Sequence, residues 1–276
     1  MALKDRLHFL HRVWRYRLRH ERHGVALVRG SGLAGLTAVD VGANRGIFSY
    51  WMHGAVTARG AGATARGAGA TGNVVAFEPQ PEMAAYVRGV KRAFGLDRLV
   101  IENAGLSSSP GTLTLHRDPA QPGGASYDHI EDDPIDEDHA DDGGQNLRVG
   151  NNRSAALDRL ETPVTTLDAY FAEHPPASRV GLIKCDVEGH EPHVFRGAAR
   201  TIAEHRPVML FESHRAADPA NEAFAVLGEL GYRGYCFTRR GEQPVERYAE
   251  LLESLDDAAK HNFVFRPEAG AAQRAA

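Results

Sequence analysis

The sequence predicts an α/β protein, a single mostly parallel seven-stranded sheet with helices on both faces. Three observations carry that expectation. Thr37 to Phe48 runs from an apolar strand through a glycine turn into a helix. Leu182 to Glu191 reads as a buried strand that ends in ionisable side chains. Around them, apolar runs of strand length alternate with helical stretches, the pattern that builds a parallel sheet from strand–helix units. With 276 residues, 42% of them hydrophobic, the chain can bury the core of one such Rossmann-like domain, expected over residues 24–268.

The first 23 residues stand apart in charge. Leu3, Leu7, Leu10, Trp14 and Leu18 recur at spacings of three and four, which predicts one apolar helical stripe. Lys4, Arg6, Arg12, Arg15, Arg17, Arg19 and Arg22 are opposed only by Asp5 and Glu21. A basic amphipathic helix can lie on an anionic membrane or an acidic partner. Docking on the domain through the leucine stripe is the commoner use, and is expected. A transit peptide would share the arginines, but serines are absent and nothing marks a cleavage site.

The first strand, near Thr37–Val41, places Asp40 close to its end, and Gly42 and Gly46 flank the turn that follows. Glycines permit positive φ and close approach of the backbone to a ligand. The spacing is G-x-x-x-G, and Asn44 stands where a dinucleotide loop has its second glycine. S-adenosylmethionine has no pyrophosphate to cradle. It needs backbone room and an acid to meet its amino group directly or through water, for which Asp40 is a candidate. The second strand, Val74–Phe77, ends in Glu78, whose carboxylate can accept hydrogen bonds from both ribose hydroxyls. Such an acid is expected about 20 residues beyond the glycine turn. Glu78 lies 32 residues after Gly46, and the interval falls to 18 without the 14 residues of Thr57–Ala63 and its identical copy Thr64–Ala70. The repeat, residues 57–71, reads as a duplicated Gly/Ala-rich loop. Its Arg59 and Arg66 are thin support for a nucleic-acid role.

A helix from Pro81 to about Phe94 and a third strand over Arg98–Glu102 follow, closed by Asn103–Leu106, where the adenine edge is expected. Thr112–His116 resembles an extra strand. Residues 117–152 form an acidic insertion, with nine acidic residues between Asp128 and Asp142. Such blocks are usually solvated, and this one lacks EF-hand spacing for a cation. Val164–Leu167 reads as a further strand, with Asp168 capping or orienting the next helix. Pro207–Glu212 is the fifth core strand. Tyr232–Thr238 and Asn262–Arg266 supply a terminal antiparallel pair, and residues 269–276 a tail expected to be disordered.

Lys184, Asp186 and Glu188 alternate at period two. That would point all three to one side at the carboxyl end of their strand, the edge where open α/β sheets bind ligands. Charges there are costly unless paired or used. A structural ion pair of Lys184 with either acid and a catalytic cluster both meet that condition.

VDVGANRG, VVAFEPQPE, IENAGLSSSPGTLTL, VTTLDAYF and IKCDVEGHEPHVFRGA occur in this order. Together they resemble the FkbM-type S-adenosylmethionine-dependent methyltransferases, from about Ala38 to about Ser213. The most specific part is K-x-D-V-E-G-x-E, Lys184 to Glu191; the glycine motif would fit any class I methyltransferase. The resemblance implies a Rossmann-like class I methyltransferase fold and S-adenosyl-L-methionine as methyl donor. It also implies transfer mainly to hydroxyl or carboxyl oxygens of sugars, polyketides, peptides or other natural products. Two features depart from the pattern, the heptapeptide repeat and the long acidic stretch Gln121–Asn152; the second leaves the acceptor open.

A sulfonium methyl is already activated, so the protein must align an acceptor oxygen and, for an alcohol, take its proton. Lys184, Asp186, Glu188 and Glu212 are the candidate catalytic residues, with Glu188 or Asp186 as base and Lys184 as electrostatic partner. Glu212 with His214 is a second pair and His190 a third candidate, although His190 and His193 are expected on a helix surface. Asp40, Gly42, Asn44, Gly46, Glu78, Asn103 and Asp186 are expected to hold the cofactor. Asp186, Glu188, His190 and His214 could instead bind a divalent metal that polarises the hydroxyl; no metal is expected.

Two other classes are disfavoured. An NAD-dependent oxidoreductase wants the glycine that Asn44 replaces, and a non-catalytic module that keeps the fold is the remaining alternative. A net charge of −4 argues against general nucleic-acid binding. Cys185 and Cys236, the two cysteines, read as buried thiols of a cytoplasmic protein. No apolar run approaches the roughly 18 residues of a membrane span.

Overall fold

The computed structural model describes residues 1–58, 72–117, 125–127, 158–213 and 221–268. The heptapeptide repeat beyond Ala58, the acidic run 128–142, His214 and the tail 269–276 lie outside them. Helix α1 (Leu3–Arg15) passes through a π turn at Tyr16–His20 into α2 (Arg22–Gly30). The Glu21 N–H closes that turn on the Tyr16 carbonyl at 3.0 Å. The helix does not dock through its leucine stripe. Leu3, Leu7, Trp14 and Leu18 are exposed, while Phe9 and Val13 are buried. Phe9 packs on Tyr50 and Phe94 with ring centroids 5.7 and 5.1 Å away. Burying such a ring is worth roughly 1.5–3 kcal/mol. The regular stripe misleads because spacing reports a face, not what covers it; the short Phe9/Val13 pair finds the partner.

The first half of the main sheet is β1 (Thr37–Val41), α3 (Ile47–Val56), β2 (Val74–Phe77), α4 (Pro81–Phe94) and β3 (Leu99–Glu102). Strands β1 and β2 are buried at every residue, as parallel strands covered on both faces must be. Helix α4 starts with Pro81 and stops at Gly95, whose φ of 65° ends it in the left-handed region.

Next come β4 (Gly105–Leu106), β5 (Gly111–Arg117), β6 (Ala125–Tyr127) and β7 (Asp158–Thr165). They form a separate four-stranded sheet in the order β4-β7-β5-β6, around Leu115, Tyr127 and Val164. The strands expected near Thr112–His116 and Val164–Leu167 therefore pair with each other and not with the main sheet. Helix α5 (Leu167–Glu173) is capped by Thr166, whose Oγ1 accepts the Ala169 N–H at 2.9 Å. Asp168 serves a later helix instead: its carboxylate accepts the N–H groups of Arg200 and Thr201 at 2.9 and 2.8 Å, in the first turn of the helix Ala199–His205.

The second half runs β8 (Val180–Cys185), α6 (Glu191–Arg196), α7 (Ala199–His205), β9 (Val208–Glu212), α8 (Glu222–Glu229) and β10 (Tyr232–Thr238). It closes with β11 (Gly241–Pro244), α9 (Tyr248–Leu251), α10 (Asp257–Lys260) and β12 (Asn262–Pro267). Among the described residues the main sheet has the order β11-β10-β12-β9-β8-β1-β2-β3, eight strands where seven are expected, the addition being β11, hairpin partner of β10. From β9 to β3 the strands are parallel, and β12 and β10 are the expected antiparallel pair. Both cysteines are buried thiols. Among the described residues no helix is long and apolar enough to cross a membrane. Strands β1 and β8 lie side by side with Asp40 opposite Lys184, so their two following loops meet at the carboxyl edge.

Candidate active site

Lys184 is the hub of that edge. It is 5% exposed, and its Nζ lies 3.2 Å from Asp186 Oδ2 and 3.6 Å from Asp40 Oδ1. It also donates to the Gly42 carbonyl at 3.1 Å, so it ties the glycine turn to β8. Burial pushes its pKa down, but Asp186 and Asp40 outweigh that and hold the ammonium above its ordinary value. Asp40 is wholly buried and accepts a hydrogen bond from Ser49 Oγ at 2.5 Å. Of the two contacts expected of it with a cofactor amino group, direct or through water, its burial closes the direct one. Its charge serves Lys184. Asp186 keeps 36% side-chain exposure and faces outward from the same lysine.

Gly42 has φ 72°, and a Cβ there would lie 2.0 Å from the Asp186 carbonyl oxygen. The close approach that requires glycine is thus made to the neighbouring loop. Gly46, at φ 73°, starts α3, and a Cβ on it would press on Val87 of α4 at 3.1 Å.

Strand β8 stops at Cys185, so the alternation of Lys184 and Asp186 does not extend to Glu188. Glu188 adopts φ 54° and Gly189 φ 98°, a left-handed turn that re-aims the chain. Glu191, the last acid of the motif, is the brace of this turn: its Oε1 accepts the N–H groups of Val187 and Gly189 at 3.0 and 3.3 Å. A non-glycine residue at positive φ is strained, and such strain is tolerated where the surroundings over-determine it. Glu188 sits exposed at the mouth of a cleft. Crowding by the cleft walls, then Asp186 and Glu191, pushes its pKa up to about 7. Its exposure means solvent screens part of that push, and a ligand filling the cleft would remove the screening.

The cleft opens between the glycine turn, the loop after β8 and the second sheet. Gly42, Asn44, Glu78, Asp186 and Glu188 line it together with Tyr127 of the second sheet. Glu78 is 3% exposed; its Oε2 accepts the Asn44 N–H at 2.6 Å and its Oε1 the Gln80 N–H at 2.9 Å. Burial raises its pKa to about 7 against these two bonds. Asn103 stands behind the cleft, donating from Nδ2 to the carbonyls of Glu78 and Pro79 at 2.9 and 3.0 Å. It positions the Glu78 loop, and Gly105 and Leu106 supply the lining expected of its segment.

Two contributors had no sequence signal beyond their place in a basic segment. Glu21 and Tyr16, from the π turn and its end, join the electrostatic field of Asp186 and Lys184. Glu21 is raised to about 7 by burial and then by Asp186, and hydrogen-bonds Asn262. Glu212, at the end of β9, is raised further, by burial and by Asp186, Glu21 and Glu188. Asp40, Asp186, Glu21, Glu188 and Glu212 thus share the field of one ammonium. His190 is buried, not on a helix surface; its Nε2 lies 3.0 Å from Ser107 Oγ and its ring stacks on His193 at 4.5 Å. Among the described residues no group of three or more side chains is placed to hold a metal ion, and His214 lies outside them.

Residues 40–235 match the methyltransferase FkbM domain. The chain belongs to the FkbM methyltransferase family. The fold is accordingly the class I methyltransferase fold, and the FkbM match leaves out Tyr16, Glu21 and the β12 strand. Among solved structures, similarity extends to the FkbM methyltransferase of Methylobacillus flagellatus KT. That protein is 16% identical over 84% of this chain and 44% of its own, with a TM-score of 0.47. This chain therefore spans less than half of it. An O-methyltransferase from Bacillus cereus in complex with SAH is 10% identical over 96% of this chain and 90% of its own, TM-score 0.44. A SAM-dependent O-methyltransferase from Thermotoga maritima is 13% identical over 90% and 65%, TM-score 0.40. No curated protein matches the sequence.

Proposed function

We propose that the protein is an S-adenosylmethionine-dependent O-methyltransferase acting on a hydroxyl or carboxyl group of a sugar or other natural-product small molecule. The catalytic unit is residues 24–268, to which the helical segment before it adds Tyr16 and Glu21. The chemistry of the cleft suits the cofactor. Glu78 has its carboxylate fixed by two backbone N–H donors, and each oxygen keeps acceptor capacity for a ribose hydroxyl. Asp186 offers a half-exposed carboxylate at the glycine turn for the amino group. When bound, S-adenosylmethionine supplies a methyl already activated by the sulfonium.

The observation that carries the reading is Glu188, held in a left-handed turn at the mouth of this cleft with its pKa raised to about 7. A general base works best when its pKa lies near the working pH. Glu188 takes the proton from the acceptor oxygen, and Glu191 fixes the turn that aims it. Lys184 holds Asp186 and the glycine turn in place. A hydroxylated acceptor suits the remaining carboxylates, because they accept hydrogen bonds from neighbouring hydroxyls.

The test pairs binding with turnover. Calorimetry should show S-adenosylmethionine and S-adenosylhomocysteine binding to the native chain. Glu188→Gln should keep that affinity and lower turnover on a hydroxylated acceptor by roughly 10²–10⁴-fold, the usual worth of a general base. Folded protein that binds neither ligand would sink the methyltransferase reading; full turnover in Glu188→Gln would remove Glu188 as base.

A further inference from the structure

Helix α1 carries two apolar faces, and the fold uses one. At roughly 100° per residue, Leu3, Leu7, Leu10 and Trp14 fall within an arc of about 60°, centred about 110° from the Phe9/Val13 face. The Phe9/Val13 face is buried against Tyr50 and Phe94. The other points away: Leu3 is 73% exposed, Leu7 57% and Trp14 50%, and Leu18 in the following turn is 64% exposed. Scattered apolar residues on a surface need no explanation, but these adjoin along one helix, and contiguous patches mark interaction sites.

The charges around the patch say what kind. Exposed Lys4 and Arg15 border the stripe on one side and exposed Arg19 follows it. On the other side the Arg17 guanidinium lies 4.9 Å from the centre of the Trp14 ring. Asp5 is the sole acid before Glu21, and it turns toward the docked side, bonding the Ala2 N–H at 3.2 Å. A second copy of this chain would bring the same arginines against themselves, since a two-fold interface sets a patch on its own image. An anionic surface with an apolar interior meets both the leucines and the arginines.

We propose that α1 is an in-plane anchor that lays Leu3, Leu7, Trp14 and Leu18 into the headgroup–acyl boundary of an anionic phospholipid membrane. The helix does not cross the membrane; it lies along it, with the Phe9 face still holding the α/β domain. Arginine and lysine at the rim reach the lipid phosphates, and Trp14 suits the interface, where an amphipathic ring is at home.

Co-sedimentation of the full chain with vesicles of phosphatidylglycerol and phosphatidylcholine tests this. Binding to mixed anionic vesicles should fall at least about tenfold with Leu7→Glu combined with Trp14→Glu, and by a similar factor with Arg15→Glu and Arg19→Glu, since apolar burial and each basic charge both contribute. All four positions are exposed, so thermal melts of the variants should match the native chain. Three outcomes would overturn the proposal. The native chain could leave anionic vesicles unbound, or bind pure phosphatidylcholine equally well. Alternatively, sedimentation velocity could show a dimer that Leu7→Glu splits while vesicles capture nothing.

Discussion

Lys184 shows how one residue can be structural and still matter to chemistry. Its ammonium is shared between wholly buried Asp40 and half-exposed Asp186 and also holds a carbonyl of the glycine turn. Removing one member of a buried ion pair leaves a charge without compensation, which costs about 3–5 kcal/mol. Lys184→Met should therefore destabilise the protein by that order, and adding Asp40→Asn should recover a large part. Urea midpoints of the single and double variants check this; equal loss in both would mean that Asp40 is not the charge left behind. Lys184 and Asp186 were legible from the strand pattern, whereas Asp40 was read as an acid for the cofactor and its pairing with Lys184 was not foreseen. Glu188 was legible as a site residue for a wrong local reason, since a left-handed turn and not strand alternation brings it to the cleft. Glu21 and Tyr16 were not legible, because nothing in a basic helical stretch says that its end folds over a distant strand.

Among elements, the glycine turn and the loop after β8 form a single unit. The Gly42 backbone packs so closely on the Asp186 carbonyl that a Cβ would overlap it at 2.0 Å, in a residue already at φ 72°. Gly42→Ala must then move one loop or the other, and with it Asn44, Asp186 and the cleft between them. The expected outcome is a melting temperature lowered by several degrees and S-adenosylmethionine affinity lowered together, as overpacking and positive φ each cost about 1 kcal/mol or more. Native affinity in a folded Gly42→Ala protein would show that the turn tolerates the shift. Elements with strong local signals were readable in advance, the helix from Pro81 to about Phe94 among them. Pairings were not: β5 and β7 meet across an interval of more than forty residues to make a second sheet, and that is decided by what each face can bury. The docked face of α1 failed for the same reason.

Across the whole molecule, the cost of the site shows in its response to pH. Buried Glu78 and Glu191 both have folded pKa values raised to about 7 from 4.5, by burial before anything else. Glu21 is shifted alike. A carboxyl whose pKa is raised on folding prefers to be protonated in the folded state. Its favourable contribution is complete below pH 4.5 and is lost as pH rises through 7. Each pKa unit is worth about 1.4 kcal/mol, so Glu78 and Glu191 together withdraw several kcal/mol across that window. His53, lowered by burial, works in the opposite direction, but it is one part-buried group against several carboxyls. The contacts of His23 and Arg22 with Asp256 lower that acid's pKa against its burial, so their help is lost only below its ordinary value near 3.8. The ligand-free protein should therefore melt at a higher temperature at pH 5.5 than at pH 7.5. Glu78→Gln should flatten that slope while weakening cofactor binding, because the amide carries no charge to strengthen a bond from a ribose hydroxyl. A melting temperature that rises or stays level from pH 5.5 to 7.5 would mean that these carboxyls ionise in the folded chain as readily as in water. The cleft would then hold its negative charge at no cost to the fold, and the link from buried carboxylates to a base poised near neutrality would fail with it.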